Sequence, residues 1–380
     1  MGEICKPRQA EKVTPKRGAA SGIMVLAYMI RTRRWHSALT TICLAAALAG
    51  CKPAGQPAAV TAIVGAVLLD GTGGPPISNS VVTIEGARIR AVGSRTNLLV
   101  PADAEKVDGS GKFLVPGLID LQARLEMSAG RTGVERSLNR YLNDGITSVR
   151  GDGAVRDAFD VRAAQRQDVL GAARLFLYGR ADTRSDVARW AAHQVDAVEI
   201  DGEKSRAAGG ILEEARTFHV PVIADIFSLA EARFLVDNGA ASFLGTIRDT
   251  ETIDPAFIAR LRDLRTVFAP MLVRETVPAQ LTVAKHNTKR LADGGVLIAV
   301  GSDGDPHREM ELLVEAGLSP ADVLAAATRH GALALGWLDQ LGTIEPGKRA
   351  DLLLLSANPA EDIRNLRKID RIMLDGRWMR

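Results

Sequence analysis

Apolar residues in this chain fall into short runs, separated by longer stretches where they recur every three or four positions. Eight of the runs read as strands, at 117–122, 148–151, 174–178, 197–201, 221–226, 242–247, 267–272 and 297–302. Most of the gaps between them carry the amphipathic period of a helix. Ser228 and Glu231 form a capping box, and Asp254-Pro255 places an N-cap before proline at the first helical position. Phe257, Ile258, Leu261 and Leu264 follow along one face, and Ser319-Pro320-Ala321-Asp322 opens another helix in the same manner. Strand–helix units of this kind over 116–340 predict an α/β fold, a (β/α)8 TIM-like barrel with its site at the C-terminal strand ends. The barrel is short for its class, which predicts clipped loops over the mouth.

The pattern differs at the two ends. Strand-like runs at 62–69, 81–85 and 88–92, with a turn at Gly86, are matched by runs at 350–355 and 371–374. Asp375-Gly376 suits a tight hairpin. Lone hairpins are marginal in water, so the pieces at 60–115 and 341–380 are expected to complete one small β-sandwich domain.

The first fifty residues read as an address. Arg31, Arg33 and Arg34 precede an apolar run over 37–48, followed by Leu48-Ala49-Gly50-Cys51. A basic segment, a short apolar segment and small residues at the cut describe a secretory signal. The apolar run is too short to span a membrane comfortably. Met29 is a second candidate start, which would leave 1–28 outside the protein. Residues 52–59 read as a tether. Residues 1–50 hold eight basic and two acidic side chains, more than the whole chain's formal excess of +3, so the remainder is net acidic. Nucleic-acid binding is therefore not expected. Cys5, Cys43 and Cys51 all lie at or before the cut, leaving the body without a disulfide or a thiol nucleophile.

Two sets of residues carry a resemblance. Leu48-Ala-Gly-Cys51 resembles the bacterial lipoprotein signal, which implies a lipidated Cys51, a membrane anchor and a body at the cell envelope, facing the periplasm. The run over 113–125, Phe-Leu-Val-Pro-Gly-Leu-Ile-Asp-Leu-Gln-Ala-Arg-Leu, resembles the first barrel strand of the metal-dependent amidohydrolase superfamily, whose motif is Pro-Gly-Leu-Ile-Asp-x-His-x-His. The segments at 143–150, 195–200, 219–225, 239–245 and 298–303 resemble later strands of its imidazolonepropionase-like and prolidase-like branch. The stretch Gly-Thr-Ile-Glu-Pro-Gly-Lys-Arg-Ala-Asp-Leu at 342–352 follows the same family.

The resemblance implies hydrolysis of amide or cyclic-amide C–N bonds by one or two divalent metals, which acidify a water and polarise the carbonyl. It places the metal ligands at six positions. The paired histidines fall on Gln122 and Arg124, the lysine on Glu199, the fifth-strand histidine on Asp225 and the sixth-strand histidine on Gly245; only Asp303 matches. Glycine offers no ligand and a guanidinium repels metal. One account is that no metal binds: Arg124 supplies the missing positive charge and pairs with Asp303 or a neighbouring buried carboxylate, with Arg150 and Arg180 extending the lattice. The alternative is an all-oxygen set of Glu199, Asp225, Asp303 and the Gln122 carbonyl, suited to Mg²⁺, Mn²⁺ or Ca²⁺ rather than Zn²⁺.

Asp303 remains a candidate general base. His307 either lines the mouth as an acid or base or caps the next helix. His193, His219, His286 and His330 read as surface or packing residues, as do Trp190, Trp337 and Trp378. There is no Gly-x-Ser-x-Gly elbow, P-loop or dinucleotide fingerprint. Three functions stay open: a pseudoenzyme binding a small ligand or an envelope protein, a hydrolase with an atypical centre, and a structural lipoprotein.

Overall fold

The computed structural model describes residues 60–167, 171–207, 209–240 and 242–379. The leader, Cys51 and the tether lie outside the described residues. Strands β1 (Val60–Val64), β2 (Val67–Leu68), β3 (Ser80–Glu85), β4 (Arg88–Ser94), β5 (Glu105–Asp108) and β6 (Phe113–Pro116) come first. The barrel strands are β7 (Leu118–Ala123), β8 (Ile146–Asp152), β9 (Arg174–Arg180), β10 (Ala197–Asp201), β11 (Val222–Ile226), β12 (Ser242–Gly245), β13 (Val267–Ala269) and β14 (Leu297–Ile298). The chain ends with β15 (Leu352–Leu355), β16 (Ile369–Leu374) and β17 (Arg377–Trp378).

Strands β7 to β14 form one parallel sheet in sequential order. Each predicted barrel run overlaps one of them. The sheet closes through the segment after β14, where the Leu121 N–H donates to the Val300 carbonyl at 2.9 Å and the Asp303 N–H to the Gln122 carbonyl at 2.8 Å. Helices α1 (Gly130–Asn143), α2 (Ala158–Arg166), α3 (Arg184–Ala192), α4 (Gly209–Thr217), α5 (Leu229–Asp237), α6 (Pro255–Asp263), α7 (Pro278–Asp293) and α8 (Pro306–Glu315) alternate with the strands. Ser228 and Glu231 cap α5 reciprocally as the sequence predicts, and Asp254 accepts from the Ala256 N–H to start α6. Phe257, Ile258 and Leu261 are buried, but Leu264 lies past the last turn of α6 and is 57% exposed, so it does not share that face.

Inside the barrel, Ile119, Leu121, Phe176, Tyr178, Ala197, Ile223, Leu244 and Val267 make a plug of apolar side chains drawn from six strands. The sandwich packs a sheet in the order β4-β3-β1-β5 against another in the order β17-β16-β15-β6-β2, so the second sheet draws on both ends of the chain. Ile63, Val82, Ile84, Leu114, Leu352, Leu354 and Met373 fill the space between. β5, β6 and β17 have two to four residues each and were too short to stand out as periodic runs. The Asp375-Gly376 hairpin has positive φ at both residues, 50° and 74°, as a type I′ turn requires. Arg174, at the foot of β9, holds Asp351 at 2.5 Å and Asp375 at 2.6 Å, tying the barrel floor to that hairpin.

Candidate functional site at the barrel mouth

The β7–β8 register shifts between Asp120 and Ala123, a bulge that interrupts simple alternation just before the mouth. Ile119 and Leu121 belong to the interior plug, whereas Gln122 and Arg124 line a cavity of about 680 Å³ above it. Asp120 is fully buried and fixes the bulge. It accepts the Gln122 N–H at 3.0 Å, the Ser302 N–H at 3.0 Å and the Ser302 hydroxyl at 2.6 Å, joining the first strand to the segment after the last. Burial pushes its carboxyl up to about 6 despite these bonds.

The six positions that the resemblance assigns to metal ligands are now placed. Gln122 donates from Nε2 to the Tyr178 hydroxyl at 3.0 Å and to Glu199 at 3.4 Å; its Oε1 is buried without a hydrogen-bond donor. Arg124 and Asp303 form a two-pronged pair, Nη2 to Oδ2 at 2.6 Å and Nε to Oδ1 at 3.3 Å. Glu199 lies in the middle of β10 with Arg180 at 3.5 Å; Arg180 also reaches Asp152 at 3.6 Å. Burial pushes the Glu199 carboxyl up to about 7, against the pull of Arg180. Asp225 is held by Arg274 at 3.0 and 3.1 Å, while its Oδ1 has no hydrogen-bond partner. Burial raises the Asp225 carboxyl too, against Arg274. Gly245 has φ +75°, and a Cβ there would meet the Ile226 carbonyl oxygen at 2.5 Å and Asp225 Oδ1 at 3.0 Å.

Three expectations need correcting. The carboxylate that Arg124 holds is not buried: the arginine side chain is 69% exposed and Asp303 36%. Arg150 joins no ion pair among the described residues. It is fully buried, donates from Nε to the Leu121 carbonyl at 3.0 Å and leaves Nη2 without a partner. Burial lowers its guanidinium to about 10, with Glu199 pulling the other way. His307 does not line the cavity. It is buried near the start of α8, its Nε2 is 2.8 Å from the Asp144 carbonyl at the end of α1, and burial lowers its pKa.

Sequence reasoning missed Tyr178, Arg274, Arg136 and Arg140. Tyr178 had a signal, since Phe176, Tyr178 and Arg180 alternate along β9. Arg274 had none, because it sits on a single 3₁₀ turn (Leu272–Arg274) that only tertiary structure places beside Asp225. Arg136 and Arg140 lie four residues apart on α1, and both line the cavity.

Comparison with known proteins fits this architecture. The profile described as "Amidohydrolase family" matches residues 275–379. The chain is 24% identical to an imidazolonepropionase of Geobacillus kaustophilus, over 74% of this chain and 84% of that protein. It is 27% identical to an imidazolonepropionase of Symbiobacterium thermophilum, there spanning only 40% of the relative's length and 37% of its own. Among solved structures, a putative prolidase from Bifidobacterium longum superimposes with a TM-score of 0.73 at 25% identity, covering 85% of this chain and 95% of that one. Molinate hydrolase gives 0.72 at 19% identity, with the same coverages. These matches together support the amidohydrolase superfamily, in its imidazolonepropionase-like and prolidase-like branch.

Divalent metals are common in this superfamily, and the donor set of this chain does not fit one. Glu199, Asp225 and Asp303 are each engaged by a different arginine, and an imidazole ligand is missing at every histidine position. Among the described residues, no three His, Cys, Asp or Glu side chains form a group that could hold a metal ion. Among the described residues the all-oxygen set is therefore not assembled: Glu199 lies in β10, Asp225 in β11 and Asp303 in the segment after β14.

Proposed function

We propose that this amidohydrolase-fold chain is a binding protein that has given up metal-dependent hydrolysis. In this reading it is anchored to a bacterial envelope by a lipid on Cys51, and its barrel mouth takes up a small molecule in the periplasm. One observation carries the loss of hydrolysis: at the metal positions three carboxylates face three arginines, Asp303 with Arg124, Glu199 with Arg180 and Asp225 with Arg274. Guanidinium groups stay charged at any working pH, so a dication would have to displace them and meet their repulsion. The likeness to imidazolonepropionases supports a hydrolytic ancestry. The signal ending at Cys51 supports the anchor.

The test is metal content. Detergent-solubilised full chain is loaded with Zn²⁺, Mn²⁺, Mg²⁺ and Ca²⁺, dialysed exhaustively and measured by plasma mass spectrometry. The expected result is no near-stoichiometric metal. Near-stoichiometric retention would overturn the reading and point to Glu199, Asp225 and Asp303 as ligands. The anchor is tested separately: Cys51→Ala should move the chain from the membrane fraction to the soluble periplasmic fraction.

A further inference from the structure

The mouth cavity is lined by four arginines, Arg124, Arg136, Arg140 and Arg180, against three carboxylates, Glu126, Asp152 and Asp303. Arg124 and Arg180 are occupied as described. Arg136 meets both oxygens of Glu126 through the single nitrogen Nη1, at 3.1 and 2.8 Å. Arg140 has no carboxylate partner among the described residues; its guanidinium lies 5.2 Å from the centroid of the Tyr141 ring. Arginines thus outnumber carboxylates by one among the side chains that line the cavity, and Arg140 is the one that no carboxylate holds. Arg136 and Arg140 also stand at i and i+4 on α1, a spacing at which like charges repel unless something lies between them.

A second observation concerns the floor. Gln122 is nine-tenths buried, lines the cavity and has an Oε1 with no donor. A buried acceptor without a partner is costly, and a donor on a bound molecule would satisfy it. The remaining wall is apolar: Leu125, Val155 and the exposed Met127 at the rim. A space of about 680 Å³ is far larger than an inorganic ion and falls in the range of small-molecule sites.

We propose that the mouth binds a small organic oxyanion, with its acid group on Arg140 and Arg136, its carbon frame on Leu125, Val155 and Met127, and an N–H or O–H group toward Gln122. This rests on the reading of the mouth as a binding site and adds the chemical class of its occupant. The charged end is held by charge-assisted hydrogen bonds, which makes binding dependent on ionic strength.

The full chain is titrated by calorimetry and thermal shift with glutarate and phenyl phosphate as organic oxyanions, inorganic phosphate as the bare ion, and glutaramide as the neutral control. Saturable binding of at least one organic oxyanion is expected, weakening as salt is raised from about 50 mM to about 500 mM and the screening length shortens. Arg140→Gln should weaken it about tenfold, as loss of one charged hydrogen bond implies, while Arg140→Lys keeps part of it. Equal affinity for glutaramide, an unchanged affinity in Arg140→Gln, or no saturable response to either organic oxyanion would overturn the proposal. Inorganic phosphate binding as well as the organic acids would overturn the role given to the apolar wall. Retained metal in the loading experiment would instead sink the reading beneath it, so the two failures are distinguishable.

Discussion

Arg124 grips both oxygens of Asp303, yet the pair stands in solvent rather than in the barrel interior. By the sequence resemblance Asp303 stands at a metal-ligand position of the superfamily and Arg124 at a histidine position, so the pair would join a kept position to a changed one. Water screens the attraction, and a long side chain must be held still to make it.

Arg124→Ala is therefore expected to cost less than about 1 kcal/mol in a urea titration. A buried pair broken on one side would cost roughly 3–5 kcal/mol. A loss of that size would mean that the mouth closes over the pair in solution.

Glu199 gives a pH signature. Its folded-state pKa, about 7, lies above the 4.5 of the free side chain. The folded chain therefore holds this proton more tightly than the unfolded chain does. The stability this contributes is fully present below about pH 4.5, falls as pH rises through the window to 7, and is absent above it. Glu199→Gln should match the parent near pH 4.5 and exceed it increasingly towards pH 8, by on the order of 3 kcal/mol. Parallel melting-temperature curves for the two chains would refute the assignment.

Glu309 on α8 is fully buried, and its two oxygens accept the N–H groups of Leu272 at 3.0 Å and Val273 at 2.8 Å. Those donors begin the turn that carries Arg274 onto Asp225. Glu309→Ala leaves two backbone donors without partners, at an expected total of roughly 2–5 kcal/mol. Chemical denaturation measures the loss, and hydrogen exchange at Leu272 and Val273 should accelerate with it. Unchanged exchange at both amides would refute the link.

The barrel was legible because its strands are apolar runs separated by helical periods, and because caps such as Ser228 and Asp254 announce helix starts. Leu264 misled because periodicity continues past the last turn, where the chain no longer faces the core. That Gln122 and Arg124 lie at the mouth was also legible, since they follow the strand motif Pro-Gly-Leu-Ile-Asp and both line the cavity. Their partners were not. Arg180 looked like part of one lattice with Arg150, but side-chain reach, not strand position, decides which carboxylate each guanidinium meets. Arg150 reached a backbone carbonyl instead. Arg274 meets Asp225 across 49 residues of sequence, through a turn set by Glu309.

Gly245 makes the last prediction and bears on whether the end of the sixth barrel strand could accept a histidine. With φ +75° its backbone is in a region that L side chains rarely adopt. A Cβ would also sit 2.5 Å from the Ile226 carbonyl oxygen, which belongs to the neighbouring strand and has little room to yield. Gly245→Ala should therefore cost more than about 1 kcal/mol. Gly245→His should cost at least as much, because it adds a ring to the same clash. An unchanged melting temperature in the alanine variant would mean that the strand end relaxes freely. The expected loss would mean that the backbone itself has moved away from the ligand position, so side-chain substitution alone does not rebuild it.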